Sequence, residues 1–440
     1  MLELLKLKNV GPAPEMTLKL APRLNLLTGD NGLGKSFLLD VAWWSLTRKW
    51  PHDLNPRLTS GYPARPTDPK KSASILFELT GARKHVSYES TYVPRDQAWL
   101  GRAGRPWNPG LVLYAHADGG FAVWDPARNY WRPRGDVDVQ ERLPGYVFAP
   151  ADLWDGLTVD LGGKPTIVCN GLLADWASWI RERGDTENRM QKVLERLSPQ
   201  GEHIEVGPLV RLSVDDARDI PSIRTPYVES VPILHASSGL RRVVGLAYML
   251  LWSWNEHVRA AELLGDTPTK QVVLLFDELE SHLHPRWQRT ILGSLLHVAD
   301  SLHDDASVQL IAATHSPLIL TSAEPLFDGE KDAWFDLDLE WKNVILRKRE
   351  FVRHGDVSNW LTSEAFDLKS ARSVEAEAAT ERALAILRES APSQKSIEEA
   401  DRALRQANLP DIDPFWIRWS SFFEQQHRKD KKRAKRGKRR

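Results

Sequence analysis

The sequence predicts an α/β fold, built on a mixed sheet with helices, with a mid-chain insertion and a helical C-terminal region. A short apolar strand at residues 23–28 leads through a glycine-rich loop into a helix that begins at Phe37. Two fully apolar strands, at residues 272–276 and 308–313, are separated by a helical segment. Residues 370–407 are rich in Glu, Ala and Arg, which favour helix. Strands that alternate with helices are typical of a sheet covered by helices.

The first half of the chain supplies further strands. Residues 2–10 and 16–20 have strand patterns on either side of a Gly-Pro-Ala-Pro turn, and the helix that begins at Phe37 runs to residue 50. Strand patterns recur at residues 74–79 and 85–92. Residues 111–116 and 121–124 predict a hairpin around an Asp-Gly-Gly turn.

The second half is more helical. The sequence predicts helices at 170–197, 239–261, 285–302, 370–407 (interrupted at 391–393) and 412–426, and strands within 206–233 and 336–352. The helix at 412–426 carries five aromatic side chains on one face, which predict an oligomer or partner contact, with base stacking as the alternative. Heptads are not sustained over many turns, so we expect no long coiled coil.

Composition and length indicate a folded chain. Its 440 residues are 42% hydrophobic and 27% charged, which is enough for a sizeable core. Apolar runs stay well below the roughly 18–20 residues that span a bilayer, and the N-terminus lacks the pattern of a secretion signal. The single cysteine, Cys169, excludes an intramolecular disulfide. We therefore expect a cytoplasmic protein without a membrane partner.

The charges are balanced overall but unevenly distributed. The chain has 59 basic and 59 acidic residues, yet residues 427–440 hold ten basic residues and one acidic residue, a charge of +9 that leaves −9 on the rest. The neutral total argues against a uniformly basic nucleic-acid coat protein. The tail predicts phosphate contacts with nucleic acid through Lys431, Lys432, Arg433, Lys435 and Arg436. The alternatives are a solubilising tail or one that folds back onto the acidic body.

Residues 29–36, Gly-Asp-Asn-Gly-Leu-Gly-Lys-Ser, match the phosphate-binding pattern GxxxxGK[ST]. The glycines allow backbone N–H groups to face phosphates, and the helix that follows directs its positive end at them. Lys35 would neutralise the β- and γ-phosphates, and the Ser36 hydroxyl would ligate Mg²⁺. The alternative is a chance match in a glycine-containing turn.

Three later segments suit the same chemistry. The apolar strand at 272–276 ends in Asp277, which can reach Mg²⁺, and Glu278, which can polarise an attacking water. The strand at 308–313 is followed by His315, whose imidazole can reach the γ-phosphate. A Ser-Ser-Gly turn at residues 237–239 precedes a long helix and forms an anion site. Taken singly, each has a structural alternative: an acidic turn for Asp277 and Glu278, a structural role for His315, and a helix cap for the Ser-Ser-Gly turn.

In this order, the four segments resemble the ABC-type ATPase head, in the version of the soluble RecF/SMC/OLD-like branch. The resemblance covers residues 1–50 and 230–325 by motif. It implies ATP and Mg²⁺ as cofactors, with Mg²⁺ on Ser36 and Asp277, Glu278 as catalytic base and His315 as a switch. The residues around the nucleotide would be Asn31, Gly32, Leu33, Gly34, Lys35, Ser36 and Phe37.

The resemblance also implies a head-to-tail dimer or a higher oligomer. Ser237, Ser238 and Gly239 would contact the γ-phosphate held by a second subunit. They depart from the usual Leu-Ser-Gly-Gly-Gln signature and follow the Ser-Ser-Gly-x-Arg-Arg form of the RecF/OLD-like branch. Gln97 and Gln140 are the candidates for the glutamine that joins the Mg²⁺ shell. The residue that stacks on adenine has no assignment.

Within this branch the sequence is most similar to the stand-alone ATPases of Septu and retron-associated anti-phage systems, through residues 114–128, 277–285 and 355–362. This resemblance implies a sensor or regulator that controls a separate HNH-type nuclease on nucleic acid. The alternatives are a RecF-like DNA repair ATPase, a transporter ATPase subunit, and a built-in Toprim nuclease that uses Asp336 and Asp338.

These patterns predict a domain arrangement. The ATPase head comprises residues 1–50 and 230–350, and an insertion occupies 51–229. A helical C-terminal region follows at 351–426, and a disordered basic tail at 427–440.

Overall fold

The structure is a computed structural model that describes residues 1–80, 85–101, 107–129, 131–134, 137–140, 145–302 and 306–437. The chain divides into two compact units, Met1–Val357 and Ser358–Arg440. The described strands are β1 (Leu2–Lys8), β2 (Glu15–Lys19), β3 (Leu24–Gly29), β4 (Ser74–Thr80), β5 (His85–Val93), β6 (Ala98–Trp99), β7 (Leu111–Ala115), β8 (Phe121–Trp124), β9 (Trp131–Arg134), β10 (Val137–Gln140), β11 (Gly145–Phe148), β12 (Leu157–Asp160), β13 (Pro165–Cys169), β14 (Glu205–Val206), β15 (Ser222–Thr225), β16 (Val228–Pro232), β17 (Gln271–Phe276), β18 (Ser307–Ala313), β19 (Asp332–Glu340) and β20 (Asn343–Arg349).

The described helices are α1 (Lys35–Thr47), α2 (Pro51–Leu54), α3 (Pro150–Asp155), α4 (Leu172–Glu182), α5 (Asp185–Leu197), α6 (Ser238–Leu264), α7 (Pro285–Leu302), α8 (Pro317–Ala323), α9 (Val357–Leu361), α10 (Val374–Arg388), α11 (Gln394–Gln406) and α12 (Pro414–Gly437). The single helix expected at 170–197 is broken into α4 and α5, because Arg183 adopts a left-handed conformation (φ 51°) that ends α4.

An eight-stranded sheet forms the centre of the first unit, in the order β11-β8-β7-β17-β18-β3-β19-β20. Its five middle strands, β7 to β19 in that order, are parallel, while β8, β11 and β20 add antiparallel edges. Strands β3, β7 and β17 are largely apolar and buried, as expected for a parallel sheet covered on both faces. All five carboxyl ends therefore lie at one edge of the sheet.

A second, antiparallel sheet has the order β2-β1-β4-β5-β6. Helix α1 shares one hydrophobic core with both sheets, and nearly all its side chains are buried. Trp43 and Trp44 of α1 and Leu5 of β1 belong to this core together with Leu275 of β17. This packing fixes the helix that follows the phosphate loop.

The expected insertion at 51–229 is not separate from the head, so that boundary is corrected. β4 pairs with β1 in the second sheet, and β7 pairs in parallel with β17 in the central sheet. Such pairing uses backbone hydrogen bonds, which leave no residue motif in the sequence.

The second unit contains a small helical core. Trp419 of α12 is 1% exposed, packs against α10 and α11 side chains, and its indole N–H donates to Asp401 at 3.0 Å. Phe415 belongs to the same core, and Trp416, Phe422 and Phe423 pack against it. The expectation that these aromatic side chains form an oligomer or partner contact is therefore corrected, because they serve the unit's own core.

The basic tail was expected to be disordered from residue 427. The structure continues α12 through residues 427–437. The side chains of Lys431, Lys432, Arg433, Lys435 and Arg436, and residues 438–440 as a whole, lie outside the described part of the chain.

Gln309 of β18 joins the two sheets. Its side chain is 1% exposed; Oε1 accepts from Leu2 N at 2.9 Å, and Nε2 donates to the carbonyls of Leu2 at 2.8 Å and Ala21 at 2.9 Å. One buried side-chain amide thus provides hydrogen-bond partners for backbone groups of β1 in the second sheet and of the segment that leads into β3.

Gln309→Leu removes this bridge with little change of volume. Buried backbone groups of Leu2 and Ala21 lose their partner, so we expect the free energy of unfolding to fall by roughly 2–4 kcal/mol. Denaturant unfolding followed by tryptophan fluorescence measures the change. Gln200→Leu, at an exposed turn, is the matched control; equal stability of the two variants contradicts the assignment.

Candidate nucleotide-binding site

The phosphate loop connects β3 to α1 and needs its glycines. Gly29, Gly32 and Gly34 have φ values of 128°, 81° and 103°. A Cβ on Gly34 would lie 2.7 Å from Pro12, whereas a Cβ on Gly32 would meet nothing within 4 Å. The loop is therefore packed against Pro12 at Gly34 but has open space at Gly32, where a ligand can approach its backbone.

Lys35 folds back over this loop. Its side chain is almost fully buried, and Nζ donates to the carbonyls of Gly29 at 2.7 Å and Asp30 at 2.9 Å. These bonds use two of the three ammonium donors. Burial lowers the pKa of Lys35, while the carboxylates of Asp277 and Glu280 act in the opposite direction. The side chain is thus a buried cation with one N–H left for a phosphate oxygen.

Ser36 and Asp277 meet at the edge of the sheet. Ser36 Oγ donates to Asp277 Oδ1 at 3.0 Å, across 241 residues of sequence, and Asp277 N donates to Ala115 O at 2.9 Å. Burial raises the pKa of Asp277 to about 6; the negative charge of Glu278 adds to this rise, and the Ser36 hydrogen bond opposes it.

The donor set fits a hard cation that keeps water and phosphate oxygens in its shell. Among the described residues, no group of three or more His, Cys, Asp or Glu side chains is placed to hold a metal ion. A hydroxyl and one carboxylate instead match the few protein ligands that Mg²⁺ takes when it binds together with a nucleotide.

Glu278 follows Asp277 in a constrained turn. Its φ of 50° is left-handed, which is uncommon for a residue with a side chain. The next residue, Leu279, donates its N–H to Ala313 O at 3.1 Å, so this turn is attached to the end of β18.

Glu280 is a site residue that sequence reasoning missed. Its Oε1 accepts from His315 N and its Oε2 from Thr314 Oγ1, both at 2.6 Å. It therefore fixes the backbone that carries His315. Burial lowers the pKa of the His315 imidazole, and the Lys35 cation adds to this effect. The position of Glu280 in the acidic segment that follows β17 is the sequence feature that could have identified it.

The Ser-Ser-Gly turn begins α6. Ser237 Oγ accepts from Leu240 N at 3.3 Å and caps the helix, and Ser237 and Ser238 are exposed. A Cβ on Gly239 would lie 2.6 Å from His282 O, so the start of α6 packs directly against the segment after β17. None of the hydrogen bonds of the described residues joins this turn to the phosphate loop of the same head.

Neither candidate glutamine lies at the site. Gln97 occupies an exposed turn between β5 and β6, and Gln140 in β10 donates to Asn129 at 2.9 Å. The carboxyl end of β7, beside β17, instead carries Tyr114 and then His116.

Tyr114 brings in a further carboxylate. Its hydroxyl donates to Asp40 Oδ1 at 3.0 Å, and Asp40 lies four residues after Ser36 on α1. Burial raises the pKa of Asp40 to about 7, the Tyr114 hydrogen bond opposes the rise, and the charge of Asp277 adds to it. Asp40 and Tyr114 were not singled out as site residues from the sequence.

The carboxylates considered for a Toprim nuclease are engaged elsewhere. Asp336 of β19 is 2% exposed; its Oδ1 accepts from Thr28 Oγ1 at 2.8 Å and its Oδ2 from Arg349 at 3.3 Å. Asp338 forms an ion pair with Arg347 at 3.7 Å. This arrangement supports structural roles for both.

The family model described as "AAA domain, putative AbiEii toxin, Type IV TA system" matches residues 24–321, about two thirds of the chain. The chain belongs to this family. The match includes the phosphate loop, Asp277, Glu278 and His315. Within the part of the chain that the structure describes, no helix is long and apolar enough to cross a membrane.

Two curated relatives are similar to part of the chain. A Retron Vc95 probable ATPase from Vibrio cholerae serotype O1 biovar El Tor is 26% identical over 125 residues, which are 26% of this chain and 22% of the relative. The Septu protein PtuA from Bacillus mycoides (strain KBAB4) is 29% identical over 132 residues, 30% of this chain and 16% of the relative. The chain thus matches less than a quarter of the length of either protein.

Among solved structures, an SMC head domain from Thermotoga maritima matches with 16% identity and a TM-score of 0.37, over 79% of this chain and 99% of that one. The recombination mediator RecF matches with 13% identity and a TM-score of 0.37, over 79% and 98%. The family match and the two curated relatives confirm the predicted resemblance to an ABC-type ATPase of the RecF/SMC/OLD-like branch, most like those of Septu and retron systems.

Asp40→Asn tests the electrostatics of the site without nucleotide or Mg²⁺. Between the ordinary pKa of 3.8 and its value of about 7, folded Asp40 keeps a proton that the unfolded chain has lost. Wild-type stability should therefore fall as pH rises through this range, and the variant should lack this contribution.

We expect Asp40→Asn to gain on the order of 2 kcal/mol relative to wild type between pH 5 and pH 8. Thermal or denaturant unfolding at both pH values measures this difference. Asp215→Asn, at an exposed position, is the control. A pH-independent difference for Asp40→Asn contradicts a raised pKa.

Proposed function

We propose that this protein hydrolyses ATP as a sensor or regulator in bacterial anti-phage defence, dimerises through its heads, and controls a separate HNH-type nuclease on nucleic acid. The observation that carries the ATPase part is the Ser36–Asp277 hydrogen bond beneath a phosphate loop whose Lys35 is already folded into place. The regulatory part is supported by the similarity to the Septu protein PtuA and the retron ATPase.

In this proposal the phosphate loop holds the triphosphate of ATP. The residues that surround it are Asn31, Gly32, Leu33, Gly34, Lys35, Ser36 and Phe37. Backbone N–H groups and the positive end of α1 bind the phosphates, and the third donor of Lys35 completes the contact. Ser36 and Asp277 hold Mg²⁺, which neutralises the charge of the phosphates when bound.

Hydrolysis needs a group that takes the proton of the attacking water. We assign this role to Glu278, because it follows Asp277 directly and its left-handed backbone conformation constrains where its side chain lies. His315 acts as the switch beside it, in the backbone position that Glu280 fixes. The lowered pKa favours the neutral imidazole, which can both accept and donate a hydrogen bond near the γ-phosphate.

Dimerisation would complete each site. Ser237, Ser238 and Gly239 stand at the exposed start of the 27-residue helix α6. The positive end of this helix and its free hydroxyl protons suit the γ-phosphate of a nucleotide on a second head. We therefore propose a head-to-tail dimer or a higher oligomer.

We further propose that the protein acts in the cytoplasm, where it binds nucleic acid and its nuclease partner. An HNH reading frame beside the gene supports it, whereas recombination genes there favour a RecF-like repair ATPase.

Glu278→Gln should bind ATP but hydrolyse it about 10²–10³-fold more slowly than wild type, because the general base is lost. It should therefore accumulate as an ATP-bound dimer, measured by mass photometry with and without ATP. Glu229→Gln, exposed on β16, is the control. Hydrolysis at the wild-type rate by Glu278→Gln removes the catalytic assignment.

Lys35→Ala should abolish ATP binding, because the only lysine of the loop is lost, while Lys164→Ala at an exposed position should bind as wild type. Fluorescent-nucleotide titration measures both. Undiminished binding by Lys35→Ala contradicts the assignment of the loop.

The nucleic-acid part has its own test in the basic tail. Removal of residues 427–440, or replacement of Lys431, Lys432, Arg433, Lys435 and Arg436 by Gln in the full chain, should weaken DNA binding and flatten its salt dependence. Each lost phosphate contact reduces the slope of log K against log salt by about 0.9. An unchanged slope shows that the tail makes no phosphate contacts.

A further inference from the structure

Arg242 is a half-buried cation that the proposed function leaves without a role. It lies in the first turns of α6, three residues after Gly239. Nη2 donates to His116 O at 2.8 Å, and the guanidinium carbon lies 5.6 Å from the centre of the Phe121 ring. Nη1 is buried and has no hydrogen-bond partner. Burying a guanidinium with an unused donor costs free energy, so the position calls for an explanation.

The acceptor of Arg242 belongs to the turn that follows β7. Gly119 N donates to the same His116 oxygen at 3.2 Å, and His116 N donates to Gly120 O at 3.0 Å. A Cβ on Gly119 would lie 3.8 Å from Arg242 Nη1. Arg242 thus adds a link from α6 to a turn that is already closed by backbone hydrogen bonds.

This turn is attached to the Mg²⁺ carboxylate. Ala115 O, one residue before His116, accepts from Asp277 N at 2.9 Å. Arg242 and Asp277 therefore bind consecutive residues of one backbone segment. Two hydrogen bonds and one peptide unit therefore connect the guanidinium on α6 to Asp277.

The His116 side chain makes the turn stiff. Its imidazole is 0% exposed, Nδ1 lies 3.0 Å from Ser60 Oγ, and the ring centre lies 3.9 Å from that of Tyr114. Burial lowers the pKa of His116 to about 3, and the Arg242 charge adds to this effect, so the ring is neutral. A neutral, packed ring can hold its place beside the guanidinium without charge repulsion.

Charge links Arg242 to the same carboxylates. Burial lowers the pKa of Arg242, while Asp118, Asp277 and Glu278 act in the opposite direction. The guanidinium is thus a positive charge from α6 within electrostatic range of both residues to which we assign Mg²⁺ binding and proton transfer.

We propose that Arg242 is a positioning residue for hydrolysis, which ties the start of α6 to the backbone of Asp277 in the same head. The start of α6 is where we place the nucleotide of the second head, so its occupation would alter the geometry of the Asp277–Glu278 pair through Arg242. This inference rests on the proposed function.

The test compares Arg242→Gln and Arg242→Lys with Arg259→Gln, an exposed arginine on the same helix. We expect Arg242→Gln to lower kcat by about tenfold to a hundredfold while the Kd for ATP stays within about twofold, because geometry and not nucleotide binding is lost. Arg242→Lys should recover part of kcat, since its ammonium can still donate to His116 O. Arg259→Gln should match wild type.

Ser60→Ala is a milder change at the same turn, because it removes only the hydrogen-bond partner of the His116 imidazole. It should also lower kcat with unchanged Kd, and it keeps the proposal testable if Arg242→Gln does not fold. Wild-type kcat in either folded variant, or parallel losses of kcat and ATP binding, overturns the role of Arg242. A wild-type chain without ATPase activity instead overturns the proposed function.

Discussion

Parallel pairing of β7, β17, β18 and β3 is the constraint on which the candidate site depends. Parallel strands bring their carboxyl ends to one edge of a sheet, so segments distant in sequence become neighbours. The phosphate loop follows β3, Thr314 and His315 follow β18, Asp277 follows β17, and His116 follows β7. The Ser36–Asp277 bond is a direct result of this order. The two sheets and α1 share one core, which keeps the edge rigid.

The same edge concentrates negative charge in a buried place. Asp40 and Asp277 both have raised pKa values, chiefly because burial disfavours their charged forms, and the charge of Asp277 adds to the rise at Asp40. The Lys35 cation opposes the rise at Asp277, and the charge of Asp277 in turn acts to raise the pKa of Lys35 and of Arg242 on α6. A site of this kind is electrostatically strained before ligands arrive, as is typical of functional sites.

Backbone constraint accumulates between β17 and α7, where the site meets the start of α6. Glu278 and His282 both have positive φ, and Gly239 allows α6 to approach the His282 carbonyl. Glu280 then ties this segment to the backbone of His315. The segment therefore contacts the phosphate edge on one side and the α6 turn on the other. Left-handed conformations persist when the surrounding structure holds them firmly. Here the surrounding structure is the phosphate edge of the sheet on one side and the start of α6 on the other.

The sequence by itself determined the α/β class and the family branch. It also predicted Lys35, Ser36, Asp277 and His315 as members of one site, because phosphate and Mg²⁺ chemistry demands particular residue types at fixed local spacing. It treated residues 51–229 as an insertion and the aromatic face of α12 as a contact surface, since strand pairing and burial depend on partners elsewhere in the chain. Only the tertiary structure revealed Glu280, Asp40, His116 and Arg242 as neighbours of the site. Their contacts are single hydrogen bonds and charge pairs between distant segments, and such contacts leave no periodicity or motif in the chain.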